Sequence, residues 1–296
     1  MRRIVLMSLV VWLVFGAVEA AADEPLRAAA SFAIIADFVQ QVGGDRVEVV
    51  SLVPALADPH AWEPTPQEAR YLAGTQVLFV NGAGYEEWLW DLVRSASQSN
   101  LVVVELSAGL EPLPGPSHSV HSDHRHDPHF WLSVANAVHY VERIAQTLME
   151  LDPKHAEYYR ERADVYQKEL WELDSWLLQQ LAVIPAENRV LVTYHNAFAY
   201  FAQRYGFTAT EFLVNHPDRE PTPRDMAALV ALLSGAARPV VFAEPQFSVG
   251  ERYVRSVAAE VGGEVRLLYS ATLTSDIPTY VDMMRHNCQV LLEALR

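Results

Sequence analysis

Between Asp152-Pro153 and Pro185 the chain runs without a glycine or a further proline, and this stretch dictates how the rest can be arranged. Asp152 is a good helix N-cap and Pro153 suits the first helical position. Apolar residues recur at Tyr159, Ala163, Tyr166, Leu170, Leu173, Leu177 and Leu181. Steps of three and four make one helical stripe, so a single long helix is expected. At 1.5 Å per residue it would span roughly 48 Å. A flexible linker would be short and rich in Gly and Ser. This segment is instead a stiff rod, and wide hinge closure across it is not expected.

On either side of the rod, short β-branched runs alternate with helical patterns. Val47 to Val53, Val77 to Val80 and Leu101 to Val104 read as buried strands before it. Phe32 to Gly43 and Pro66 to Gly74 read as helices among them. After the rod, Arg189 to Thr193, Val240 to Ala243 and Val265 to Leu268 are strand candidates. Asn196 to Tyr205, Asp225 to Ser234, Val249 to Val261 and Tyr280 to Leu295 are helix candidates. Strand and helix in alternation argue for parallel sheets. The expected fold class is therefore α/β, with two lobes that each hold a mainly parallel sheet flanked by helices. The 296 residues are ample for that. The expected division is a lobe over 23–151, the helix over 152–185 and a second lobe over 186–296.

Residues 1–22 are set apart from the fold. Arg2 and Arg3 precede an apolar run from Ile4 to Val18, and Ala20, Ala21 and Ala22 follow. That order reads as a secretory signal peptide, and the run is short for a membrane span. The sole cysteine is Cys288, in the last helix pattern. No intrachain disulfide, cysteine-based zinc site or lipid anchor on an N-terminal cysteine is therefore expected. Acidic residues outnumber basic ones 37 to 22, for a formal charge of −15. Nucleic acid and anionic membrane surfaces are poor partners for such a chain.

Histidine carries the chemistry. His60 and His195 each follow a strand candidate, in Asp58-Pro59-His60 and Thr193-Tyr194-His195. His129 repeats the first pattern, in Asp127-Pro128-His129. Ligands of open α/β sheets bind outside the carboxyl ends of the strands, so these histidines could meet in the cleft between the lobes. Three imidazoles on one point suit Zn(II) better than Mn(II), which favours oxygen donors. Spacing alone leaves open that each is a surface or hydrogen-bonded core histidine. His118, His121, His124 and His126 lie in the tract 116–127, which has no apolar periodicity. Such a His/Asp tract binds zinc weakly and reversibly, and is read as a metal-gathering loop.

From Ala28 to Leu295 the sequence resembles the metal-binding (cluster A-I, zinc/manganese) solute-binding proteins of ABC transporters. The matching stretches include Ala30-Ser31-Phe32, Val42-Gly43-Gly44-Asp45, Ala57-Asp58-Pro59-His60 and Glu63-Pro64-Thr65-Pro66. They continue through Asn81-Gly82, Glu87-Trp88-Leu89, Asp127-Pro128-His129, His195, Tyr200-Phe201-Ala202 and Tyr205-Gly206. Glu220-Pro221-Thr222-Pro223, Glu244-Pro245-Gln246-Phe247 and Tyr280-Val281-Asp282-Met283-Met284 complete them. The resemblance implies two α/β lobes on a rigid helix and a transition metal held between them by His60, His129 and His195. It implies a periplasmic protein that hands Zn(II) to an ABC permease in the inner membrane. Manganese members usually carry Glu where His195 stands, so the resemblance favours zinc, with manganese as the alternative.

One departure concerns the fourth ligand. Relatives often carry Asp in an Asp-Ser-Leu stretch, and here Ala271 stands at that place in Ser270-Ala271-Thr272-Leu273. Asp276 is the substitute that could reach the metal; otherwise water or a histidine of the tract 116–127 fills the position. Glu244 and Glu63 are expected behind the ligands rather than on the metal. Further expectations are a monomer and a periplasmic zinc donor protein as a possible partner. A zinc hydrolase would also use three histidines, but no His-Glu-x-x-His helix is present. An adhesin-like role, known in lipid-anchored relatives, lacks its anchor here.

Overall fold

The computed structural model describes residues 24–96, 100–115, 126–207, 209–214 and 219–296. The leader 1–22 and His118, His121 and His124 lie outside the described residues.

The first sheet comprises β1 (Leu26–Ala30), β2 (Val47–Ser51), β3 (Val77–Val80) and β4 (Val102–Glu105). All pairings are parallel and the spatial order is β2-β1-β3-β4. Ala28 pairs with Val49 on one side and Val77 on the other, so β1 is a central strand. Its alanines Ala28, Ala29 and Ala30 are fully buried. The connections run through α1 (Ala33–Gly43), α2 (Pro66–Leu72) and α3 (Leu89–Ala96). A capping box starts α2: Thr65 Oγ accepts from the Gln67 amide, and Glu68 accepts from the Thr65 amide.

After α4 (Val134–Leu151) comes the long helix α5 (Ala156–Leu181). Every residue of the expected stripe, from Tyr159 to Leu181, is buried. The helix is shorter than its sequence suggests, at about 39 Å. Asp152 does not cap it. A 3-10 turn over Pro153–His155 intervenes, and the Asp152 carboxylate bonds His155 Nδ1 and the Tyr159 hydroxyl, both at 2.7 Å.

The second sheet holds β5 (Val190–His195), β6 (Ala209–Val214), β7 (Val240–Ala243) and β8 (Glu264–Leu267). Its order, β6-β5-β7-β8, repeats that of the first sheet, again all parallel. Its helices are α6 (Ala199–Tyr205), α7 (Pro223–Leu233), α8 (Ser248–Glu260) and the closing α9 (Tyr280–Leu295). The fold is thus the expected pair of parallel α/β lobes around one long helix.

The lobes are welded rather than hinged. One apolar core runs from Phe38 and Val42 of α1, through Leu170 and Leu177 of α5, to Tyr280 and Leu291 of α9. Buried Asp174 of α5 pairs with Arg204 of α6, with Arg204 Nε at 3.0 Å, and accepts from the Tyr205 hydroxyl at 3.1 Å. Opening the cleft by rigid rotation would tear this shared core.

Candidate metal centre

A strand order of 2-1-3-4 winds in opposite directions on either side of the pair β1/β3, and of the pair β5/β7. Strand ends at such a switch point border a crevice. His195 is the last residue of β5, and Glu244 follows the last residue of β7. They are neighbours across the switch point of the second lobe. At the matching place in the first lobe, Ser31 and Asn81 follow β1 and β3. The two crevices face each other.

The Asp-Pro-His repeats are two copies of one turn. Asp58 Oδ1 accepts from the His60 amide at 2.9 Å, and Asp127 Oδ1 accepts from the His129 amide at 2.9 Å. Each side-chain acceptor bends the backbone back on itself. Each turn is also tied to the first lobe. Trp88 Nε1 donates to Pro59 O at 2.8 Å, and Asn81 Nδ2 donates to Pro128 O at 2.9 Å.

The outcome is convergence. His60, His129 and His195 each bring a ring nitrogen within 4.8 Å of the other two. The Nε2 atoms of His60 and His129 are 3.2 Å apart, and those of His129 and His195 are 3.4 Å apart. Donors about 2.05 Å from a tetrahedral Zn(II) sit about 3.3 Å from one another. Cis positions of an octahedral ion give nearly the same spacing. The geometry therefore fits a transition metal, and the donor type selects among them.

Protonation explains why a cation belongs there. His129 Nδ1 lies 2.7 Å from Asp127 Oδ1, and His195 Nδ1 lies 2.6 Å from Glu244 Oε1. A carboxylate only accepts, so each Nδ1 carries the proton of that bond. In neutral imidazoles both Nε2 atoms are then lone pairs, facing each other at 3.4 Å. A cation between them converts that repulsion into coordination. Burial holds His129 below the ordinary imidazole pKa, against the opposing pull of Asp127. It is thereby kept neutral and ready to bind. His129 and His195 are buried and His60 is half-buried, so solvent approaches from the His60 side.

The surrounding groups fix this arrangement. Glu244 also accepts from the Ser270 hydroxyl, which in turn accepts from Gln246 Nε2 at 2.6 Å. Trp131 Nε1 donates to Ser270 O at 2.6 Å, and its ring lies 5.4 Å from that of His129. Leu56, with a φ of +64°, donates its amide to Thr272 Oγ1 of the second lobe at 3.0 Å. That bond ties the His60 loop to the opposite lobe. Under the first switch point, buried Glu86 accepts from Ser31 Oγ at 2.6 Å and from the amides of Asn81 at 2.7 Å and Gly82 at 3.1 Å. Burial pushes its carboxyl up to about 7, against the lowering effect of these bonds.

Other expected residues are placed elsewhere. Asp276 is exposed in a turn and borders a groove with Trp176, Arg285 and His286. Among the described residues it is not part of the histidine cluster. The turn Ser275 to Pro278 leads into the N-terminus of α9 and carries Asp276 with it. Glu63 is exposed and outside the cluster as well. His126 is exposed and bridges to Pro114, but Asp127, counted as the end of the histidine tract, is buried beneath His129. The sequence reading missed Asp127, which bonds His129 Nδ1, and Tyr85, whose ring centroid lies 4.4 Å from that of His60. The duplicated Asp-Pro-His was the available sign for the first.

Comparisons with known proteins place the chain in a family. Residues 29–294 match the family described as ZnuA, zinc-uptake complex component A, periplasmic. The chain is 34% identical over 276 residues to the manganese-binding lipoprotein MntA of Halalkalibacterium halodurans, covering 92% of this chain and 89% of that one. It is 31% identical to the iron-binding protein YfeA of Yersinia pestis, over 86% of this chain and 81% of that one. A crystal structure of ZnuA superposes with a TM-score of 0.82 at 27% identity, covering 92% of this chain and all of that one. The Mn-bound periplasmic metal binding protein of Candidatus Liberibacter asiaticus gives 0.81 at 25% identity, with the same coverage. The word lipoprotein in the MntA name conflicts with the expectation of an unanchored protein. With two lobes, a rigid helix and a metal-shaped cluster at their meeting point, this chain belongs to the ZnuA family of metal-binding substrate-binding proteins of ABC transporters.

Proposed function

We propose that the protein captures Zn(II) outside the cytoplasm on His60, His129 and His195 and delivers it to an ABC permease in the membrane. The observation that carries this reading is the pair of Nε2 lone pairs held face to face by the carboxylates of Asp127 and Glu244. Three nitrogen donors without a carboxylate in the described cluster favour zinc over manganese. Glu244 and Asp127 orient the ligands and raise their basicity. Uptake weakens in acid, because protons compete for the same lone pairs. The shared core of the lobes supports release by loop movement at His60 rather than by wide opening. A monomer, a periplasmic donor protein and a gathering role for His118, His121, His124 and His126 belong to the same reading. No catalytic role is assigned.

A second reading is manganese capture, favoured by relatives named for manganese. Titration of metal-free protein with zinc and manganese, each against a chromophoric chelator, separates the two. One tight zinc equivalent with manganese bound at least a hundredfold more weakly is expected. Preference for manganese would overturn the zinc assignment and leave the capture role standing.

A further inference from the structure

The two switch points carry one device in two chemistries. Glu244 is the first residue after β7 and accepts the Nδ1 proton of His195. Asn81 is the first residue after β3, the strand that stands in the first sheet where β7 stands in the second. Its side chain is fully buried and committed to the turn that carries His129. Asn81 Nδ2 donates to Pro128 O and to Gly82 O, both at 2.9 Å, and Oδ1 accepts from the Tyr140 hydroxyl of α4. Two carbonyl oxygens can face only the NH2 group of a carboxamide, so they fix which way the amide points.

The backbone beneath that side chain is equally held. The Asn81 amide donates to Glu86 Oε1 at 2.7 Å, and the Asn81 carbonyl accepts from the Ser107 amide at 3.1 Å. A side chain pinned in this way at the end of a central strand is a rigid support for a binding group. Pro128 directly precedes His129, and its carbonyl anchors the turn to the first lobe. From the second lobe the Tyr200 hydroxyl donates to Asp127 O at 2.9 Å. Between the two anchors, the Asp127 carboxylate holds the His129 amide at 2.9 Å and Nδ1 at 2.7 Å. The direction of the imidazole therefore follows from where the turn is pinned. His129 is also the middle donor of the cluster, with its Nε2 3.2 Å from that of His60 and 3.4 Å from that of His195. A shift of this one ring changes both spacings.

Resting on the metal-capture reading above, we propose that Asn81 is a positioning residue for the metal: its carboxamide, acting through the Pro128 carbonyl, holds the His129 imidazole in its binding orientation before the ion arrives. The first lobe thus does through a neutral amide and a backbone carbonyl what the second lobe does directly with Glu244. A neutral amide suits the place because Asp127 already supplies the acceptor for His129 Nδ1. A carboxylate at position 81 would instead turn oxygen toward the carbonyls of Gly82 and Pro128.

The test reads the ring in metal-free protein, where only protein groups can orient it. Protein carrying ¹⁵N-labelled histidine is compared with Asn81→Ala by NMR, and the ring signals are assigned with His129→Gln and His195→Gln. The unaltered protein should show slowly exchanging Nδ1 protons on His129 and His195. In Asn81→Ala the His129 proton should exchange with solvent at least about fivefold faster, while that of His195 keeps its rate. Zinc affinity, measured by chelator competition, should weaken about two- to tenfold, the worth of one neutral hydrogen bond. An unchanged His129 exchange rate would overturn the proposal, and so would an unchanged zinc affinity. Equal acceleration at His129 and His195 would overturn it as well, because general loosening of the fold moves both. If Asn81→Ala does not fold, the same outcomes are read from Asn81→Ser, which keeps a polar group in the buried place but ends one bond short of Nδ2. If the unaltered protein binds no zinc while the difference at His129 is present, the metal-capture reading fails and the support of the ring by Asn81 stands.

Discussion

Replacing Glu244 by glutamine separates the metal site from the fold. The carboxylate is fully buried as a side chain and accepts the His195 Nδ1 proton at 2.6 Å. A hydrogen bond to a charged group contributes about 1.5–3 kcal/mol, and a neutral one about 0.5–1.5 kcal/mol. The isosteric amide keeps an acceptor oxygen but loses the charge, so it gives up about 1–2 kcal/mol at this bond. His195 also becomes less basic toward the metal. Together these weaken zinc binding by about ten- to a hundredfold. The metal-free protein pays no comparable cost, because a buried carboxylate is itself expensive to desolvate. The assay is zinc competition against a chelator, paired with urea unfolding of the metal-free protein. The expected result is an affinity loss of about tenfold or more, with an unfolding midpoint equal to or above that of the unaltered protein. An affinity within twofold of the original would refute the assignment of Glu244 as the group that orients His195. An affinity loss that only mirrors a drop in stability would refute it too.

Three further outcomes are expected. Thr272→Val removes the acceptor that ties the Leu56 amide across the cleft, and zinc release to excess chelator in stopped flow should quicken about two- to tenfold. An unchanged release rate would show that the His60 loop is not gated there. Glu86 carries a carboxyl raised to about 7 by burial. The folded chain thus keeps a proton that the unfolded chain sheds above pH ~4.5. Stability contributed by this group therefore falls as pH rises to about 7, by up to about 3 kcal/mol. In Glu86→Gln that component of the slope should vanish, and parallel pH profiles of urea midpoints for the two proteins would contradict this. Asp276→Ala should leave zinc affinity unchanged, and a tenfold loss by competition titration would return Asp276 to the ligand set.

The fold was largely legible wherever pattern and burial agree. β3 and β7 are wholly buried four-residue apolar runs, and their limits match the sequence reading. The stripe of α5 was equally clear, since its one buried face repeats for seven turns. β1 and β6 were not legible. β1 is built from Leu26, Arg27 and three alanines, residues of high helix propensity, and only its central place between β2 and β3 makes it a strand. β6 lies at a sheet edge and alternates poorly. Helix α4 also escaped, although Val134, Ala137, Val141, Ile144 and Leu148 give it an unbroken apolar face.

For the site, the chemistry was readable and the geometry was not. Asp58-Pro59-His60 and Asp127-Pro128-His129 announced two similar turns, but only the topology of two facing switch points brings His195 to them. The Nδ1 partner of His129 lies within its own motif, but that of His195 is Glu244, forty-nine positions away. The choice of Asp276 rested on its nearness in sequence to Ala271. The turn that begins α9 points it away, and no local pattern signals that. Tyr85 was hidden for a related reason, since its place beside His60 follows from a loop in which Gly82, Ala83 and Gly84 all take positive φ.

The most direct test is anomalous diffraction at the zinc edge from crystals of the protein loaded with one zinc equivalent. The account predicts a single strong peak about 2.0–2.1 Å from the Nε2 atoms of His60, His129 and His195. A peak beside Asp276 or confined to the tract 116–127, with the three imidazoles uncoordinated, would contradict it.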